Sequence, residues 1–211
     1  MPLKTKLMIK NIIFDMGRVL IDFDRDYFLD AFGVNDIEDR KILMKEVFFS
    51  VEWAMMDRGT LDEKQAYERV IKNIPERLHS KAYDCLFNWD KVVKPIKGMT
   101  DYVKELKERG YKIYLLSNAS HRCLDEYFET FEVSKYFDGK VVSAFVNRVK
   151  PERDIFEHLL NKYNLKKEEC VFIDDAIQNV DGAIFYGIKA LVFYGDTNEF
   201  KEKLELILKE N

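Results

Sequence analysis

Residues Ile9 to Asp24 read I-K-N-I-I-F-D-M-G-R-V-L-I-D-F-D, an apolar run that stops on an aspartate. Ile12, Ile13 and Phe14 form a short, branched and aromatic segment bounded by Gly17, which favours an interior strand over a helix. The run does not alternate, so the strand is buried on both faces. Asp15 then stands at the carboxyl end of a central strand, the edge where open α/β sheets hold their ligands. Taken alone, a turn-capping aspartate explains it better.

From about Arg25 to Pro95 helical patterns dominate and no stretch reads convincingly as a strand. Tyr27, Phe28, Ala31 and Phe32 paint one face and Gly33 ends it; further helices are expected over Ile37–Val51, after Thr60 or Asp62 as cap, and over Lys81–Trp89. Near Pro95-Ile96-Lys97-Gly98 the pattern changes to strands alternating with helices. Strands are expected at Tyr111–Leu116, Val141–Phe145, Cys170–Ile173 and Ile188–Tyr194. Helices are expected at Met99–Leu106, Cys123–Phe131, from Pro151 through Tyr163, Ile177–Tyr186 and Asn198–Glu210. Such alternation demands right-handed crossovers and a mostly parallel, doubly wound α/β sheet. The expected division is therefore a core of residues 1–17 and 97–211, with residues 18–96 as a helical insertion.

The chain has 211 residues, enough for one sizeable core, and its formal net charge of -4 gives no reason to expect nucleic acid as a partner. Cys85, Cys123 and Cys170 are odd in number and far apart, which suggests reduced thiols rather than a disulfide framework. His79, His121 and His158 lack metal-ligand spacing. The N-terminal M-P-L-K-T-K and the short strand after it are too brief and too charged for a signal or membrane segment, so the expected location is the cytoplasm. Nothing in the sequence sets the oligomeric state.

On this reading Asp15, Ser117-Asn118, Lys150 and Asp174-Asp175 all fall at or just past the carboxyl ends of strands, and folding gathers them at one edge. Each has a plain structural alternative as a turn, a helix cap or a loop junction; the ordered recurrence is what favours a site. Carboxylates alone would repel a phosphate dianion, but a divalent cation between them reverses the local field. Mg²⁺ suits hard oxygen ligands combined with a substrate phosphate. Lys150 adds positive charge, and Ser117 with neighbouring N–H groups can hold phosphoryl oxygens. Asp15 could then attack phosphorus and form a covalent aspartyl phosphate.

The ordered set F-D-M-G-R-V-L, L-L-S-N, V-K-P-E-R-D-I-F and V-F-I-D-D-A-I-Q-N resembles the four motifs of the haloacid dehalogenase superfamily, most of whose members are phosphatases. The resemblance spans the chain and implies a Rossmann-like core with a helical cap inserted after the first motif. It implies Asp15 as nucleophile and metal ligand, the Gly17 carbonyl and Asp175 as metal ligands, and Asp174 as a ligand or its neighbour. It further implies Ser117, Asn118 and Lys150 at the phosphate, and Asn179 orienting the metal site. The substrate implied is a small phosphorylated metabolite.

One position departs from that pattern. Most phosphatases of the family have D-x-D in the first motif, and the second aspartate is the general acid/base; here it is Gly17. The D-x-G form resembles the subgroup containing α-glucose-1-phosphate phosphatases. Asp22 and Asp24 are candidate substitutes or ordinary hinge and capping residues. Metal-independent 2-haloacid dehalogenation and a catalytically weak phospholigand- or partner-binding role are the alternatives. Trp53, Met55, Met56 and Arg58 either line the entrance or pack a helix and a turn.

Overall fold

The computed structural model describes residues 8–209, apart from the side chains of residues 124 and 125. The N-terminal M-P-L-K-T-K and Glu210 lie outside them. Five strands, β1 (Asn11–Phe14), β2 (Lys112–Ser117), β3 (Gly139–Val142), β4 (Cys170–Asp174) and β5 (Lys189–Val192), form one sheet in the order β3-β2-β1-β4-β5. Every pairing is parallel; Ile12 sits opposite both Ile113 and Val171.

Successive side chains of a strand point to opposite faces, and β1 has an apolar layer waiting on each. Ile12 and Phe14 join one buried cluster, with Met99, Val103 and Leu204; Ile13 joins another, with Ile155, Phe156 and Ala183. That two-sided burial explains the unbroken apolar run. The covering helices are α6 (Met99–Glu108) and α10 (Thr197–Lys209) on the first face, α8 (Arg153–Tyr163) and α9 (Ile177–Tyr186) on the second. Between β1 and α6 the chain is helical: α1 (Arg25–Ala31), α2 (Ile37–Leu43), α3 (Val51–Arg58), α4 (Glu63–Val70) and α5 (His79–Phe87). Asp24 caps α1, and Asp62 with Gln65 forms a reciprocal capping box on α4, satisfying N–H groups that a helix start leaves unpaired.

Several expected elements differ. The expected helix over Ile37–Val51 breaks: α2 ends in a π-helical turn at Met44–Phe48, and Ser50 caps a new helix, α3, which the sequence reading did not contain. The strand expected at Val141–Phe145 ends at Val142, and Ser143–Val146 is a short helix, α7. The apolar run continues past the strand because Ser143 and Ala144 are buried by tertiary packing, not by the sheet. Cys123–Phe131 forms π and 3-10 turns rather than an α-helix. Pro151 does not open α8: the Lys150–Pro151 peptide is cis, and the helix starts at Arg153 with Glu152 as N-cap.

Candidate functional site

The carboxyl ends of β1, β2 and β4 and the loop before α8 deliver Asp15, Ser117, Asp174, Asp175 and Lys150 to one place. Lys150 is almost wholly enclosed, and its Nζ lies 2.6 Å from Asp15 Oδ1 and 2.6 Å from Asp174 Oδ2. A backbone clasp fixes the lysine: its N–H donates to Asn118 Oδ1 at 2.8 Å, and Asn118 Nδ2 donates to its carbonyl at 2.9 Å. Asp174 is fully buried and accepts from Asn179 Nδ2 at 3.1 Å on each oxygen and from the Ala176 N–H at 2.8 Å. Asp175 is less enclosed and pairs with Arg18 Nε at 3.6 Å. One oxygen from each of Asp15, Asp174 and Asp175 falls within a cluster 4.8 Å across.

Burial pushes the Asp15 carboxyl up to about 7; Lys150 opposes that shift and Asp174 reinforces it. Burial also works against the Lys150 charge, but Asp15 and Asp174 outweigh it and hold its pKa above the ordinary value. Burial, then the Asp174 charge, raises Asp175. Two buried carboxylates and a third beside them, with Lys150 among them and Arg18 at the exposed side, form a donor set of hard oxygens in which carboxylates outnumber cations. Such a set fits a small divalent cation.

The cluster opens into a cavity of about 630 Å³ walled on its far side by the helical segment. Ser117, Asn118 and Gly17 line it at the sheet edge, and Trp53, Met56 and Trp89 line it opposite. Neither Met55 nor Arg58 is among the lining residues: Arg58 instead pairs with Glu152 across to the core. Asp24 does not reach the cavity either, since its carboxylate receives the N–H groups of Asp26 and Tyr27. Asp22 lines a separate cleft beside Lys94. Gly17 has no carboxylate to offer, although a Cβ there would meet only the Phe23 side chain, its Cβ at 3.5 Å and its Cγ at 3.9 Å.

Four charged residues lining the cavity were not picked out from the sequence as site candidates: Arg18 just after Gly17, Arg25 on α1, Asp57 on α3 and Glu63 on α4. Arg25 lies over the Phe49 ring at 5.0 Å, and its buried Nε has no hydrogen-bond partner among the described residues. Glu63 accepts from the Ser120 hydroxyl at 2.5 Å. Burial lifts the Asp57 carboxyl to about 7, against the pull of Arg25 and Lys150. Asp57 stood in the sequence as the first letter of D-R-G-T, an unremarkable turn. No local pattern marks it, because what brings it to Asp15 is helix packing.

A model of haloacid dehalogenase-like hydrolases matches residues 9–187, most of the chain and every strand-end residue assembled above. The chain belongs to the haloacid dehalogenase-like hydrolase family. Sesquiterpene phosphatase astK of Aspergillus oryzae is 27% identical to this family member over 186 residues, covering 86% of this chain and 88% of that protein. D-ribitol-5-phosphate phosphatase of Bacteroides thetaiotaomicron is 28% identical over 184 residues, covering 82% and 86%. A solved structure described as a predicted HAD-like family hydrolase, from Porphyromonas gingivalis, superposes with a TM-score of 0.68 at 25% identity. It covers 95% of this chain and 98% of its own. No helix among the described residues is long and apolar enough to cross a membrane.

Proposed function

We propose that this hydrolase is a Mg²⁺-dependent phosphatase of a small phosphorylated metabolite, with Asp15 as nucleophile. The observation that carries the proposal is the Asp15–Lys150–Asp174 cluster at 2.6 Å spacings, opening into the cavity beside Asp175. The relatives named for phosphatase activity support the same reaction class.

Asp15, Asp175 and the Gly17 carbonyl would hold the cation, with Asp174 completing the cluster while anchoring Lys150. The cation supplies positive charge against which a phosphate dianion can approach three carboxylates. Lys150 engages Asp15 Oδ1 and leaves Oδ2 to attack phosphorus; the bond to the leaving oxygen breaks and an aspartyl phosphate forms. Ser117 lines the place where phosphoryl oxygens gain charge. Asn118 serves by fixing the Lys150 backbone, and Asn179 by fixing the Asp174 carboxylate. The helices between β1 and α6 act as a cap that excludes water and selects the substrate. Arg25 and the aromatic wall of Trp53 and Trp89 suit a polyol or sugar phosphate such as α-glucose 1-phosphate.

A screen of phosphorylated metabolites with Mg²⁺, run beside Asp15→Asn and beside wild type with a chelator, tests this. Phosphate release is expected from the wild type at rates of roughly 1 to 10³ per second, with loss in both controls. Activity surviving Asp15→Asn would sink the nucleophile assignment. Chelator-insensitive turnover of 2-haloacids would replace the reaction, and absence of turnover on every phosphoester would leave a binding protein.

A further inference from the structure

We propose that Asp57, on the helical segment, supplies the general acid/base function that Gly17 cannot, so that the proton needed at the leaving oxygen arrives from across the cavity. The inference rests on the phosphatase reading above. A group replacing a core side chain has to be held in register with the core, and the end of α3 is held that way at three consecutive residues. The Asp57 carbonyl accepts the Ser143 hydroxyl. Arg58 pairs with Glu152, and its carbonyl accepts from Asn147 Nδ2 at 3.0 Å. Gly59, at φ 77°, lies so close to α7 that a Cβ there would come within 2.1 Å of the Ala144 carbonyl.

The same Ser143 hydroxyl ties this helix end to the phosphate side of the site. Its Oγ accepts the Ala119 N–H at 2.9 Å, two residues after Ser117. One hydroxyl thus spans the loop after β2 and the backbone of Asp57. The Asp57 side chain meanwhile lines the same cavity as Asp15 and Lys150, and its carboxyl accepts no hydrogen bond from the described residues. Burial keeps that carboxyl protonated up to about neutral pH, with Arg25 and Lys150 as the facing cations and Asp15 as the facing anion. Glu63, the other carboxylate of the wall, is engaged by Ser120.

The steps balance. As Asp15 attacks and the phosphorus–oxygen ester bond breaks, its electron pair passes to the leaving oxygen, which takes the proton of Asp57. Water then attacks the aspartyl phosphate and gives its proton to the Asp57 carboxylate; phosphate leaves, and Asp15 and protonated Asp57 are restored.

Leaving-group dependence tests the role, because p-nitrophenolate departs without a proton and an alkoxide does not. In Asp57→Asn, turnover of the primary-alcohol phosphate that the wild type hydrolyses fastest should fall by about 10²- to 10⁴-fold. The first turnover of p-nitrophenyl phosphate should survive as a burst of p-nitrophenol, followed by slow release of phosphate as the aspartyl phosphate accumulates. Adding Gly17→Asp to this variant should recover a measurable part of the alkyl-phosphate rate. Equal losses on both substrates with no burst would overturn the inference, as would an alkyl-phosphate rate equal to wild type. Should Asp57→Asn fail to melt cooperatively, Asp57→Ser is read on the same two substrates. A wild type that releases phosphate from neither substrate overturns the phosphatase reading itself, a distinguishable failure.

Discussion

Lys150 is the side chain on which the other charges of the site depend. It is enclosed between Asp15 and Asp174, so both carboxylates gain a counter-ion at 2.6 Å from an ammonium that is itself out of bulk water. Removing one partner of a buried pair leaves its neighbours uncompensated, a loss of about 3–5 kcal/mol, whereas an exposed pair is worth about 1 kcal/mol at most. Lys150→Met is therefore expected to lower the melting temperature by roughly 10 °C in a chelator and to abolish turnover. Mg²⁺ should recover part of the lost stability, because a cation bound to the folded state alone stabilises it in proportion to its binding. Differential scanning calorimetry with and without Mg²⁺ reads both effects; an unchanged melting temperature in the chelator would show that Asp15 and Asp174 do not need the lysine.

At the scale of elements, the position of α3 matters more than its composition. Gly59, the C-cap residue that follows it, combines a left-handed backbone with the close approach to α7. Gly59→Ala has to accept a strained φ, costing about 1–3 kcal/mol, and has to push α3 away from Ala144. The expected result is a protein that melts a few degrees lower and loses alkyl-phosphate turnover more than it loses the p-nitrophenyl phosphate burst. An unchanged ratio of the two activities would show that α3 does not position a proton donor. The strand ends were legible because an apolar run closing on Asp15, Ser117 or Asp174 is a local signal, and parallel pairing then aligns the ends without further information. The placements of Asp57 and Arg25 were not legible, since each reaches the cavity through tertiary packing of its helix, which no local pattern records. The end of β3 was misread for a related reason: Ser143 and Ala144 are buried against α3, so burial imitates strand continuation there.

For the whole molecule, the question is how the helical segment is joined to the sheet. On one side the two connecting passages pair with each other: the Asp22 N–H donates to Lys94 O at 2.7 Å and the Ile96 N–H to Leu20 O at 2.9 Å. These backbone bonds lie next to buried Leu20 and Ile21, so this side is the firm one. Opposite, α3 meets the core through the Ser143 hydroxyl and the Gly59–Ala144 approach at its very end, and otherwise through polar pairs, of which Arg58–Glu152 is about half exposed. Partly exposed ion pairs contribute about 1 kcal/mol at most, little enough for thermal opening to separate them while the paired passages stay intact. Opening would then pivot at residues 20–22 and 94–96, and closure would bring Asp57 over Asp15 and assemble the site around bound substrate. Arg58→Ala should lower the melting temperature by about 2–4 °C at most. Amide hydrogen exchange across residues 51–60 should quicken while β1 and β4 keep their protection, and KM should rise because the closed state is less populated. Exchange across residues 51–60 that matches the wild type would mean that the two sides are equally firm and that substrate enters without this motion.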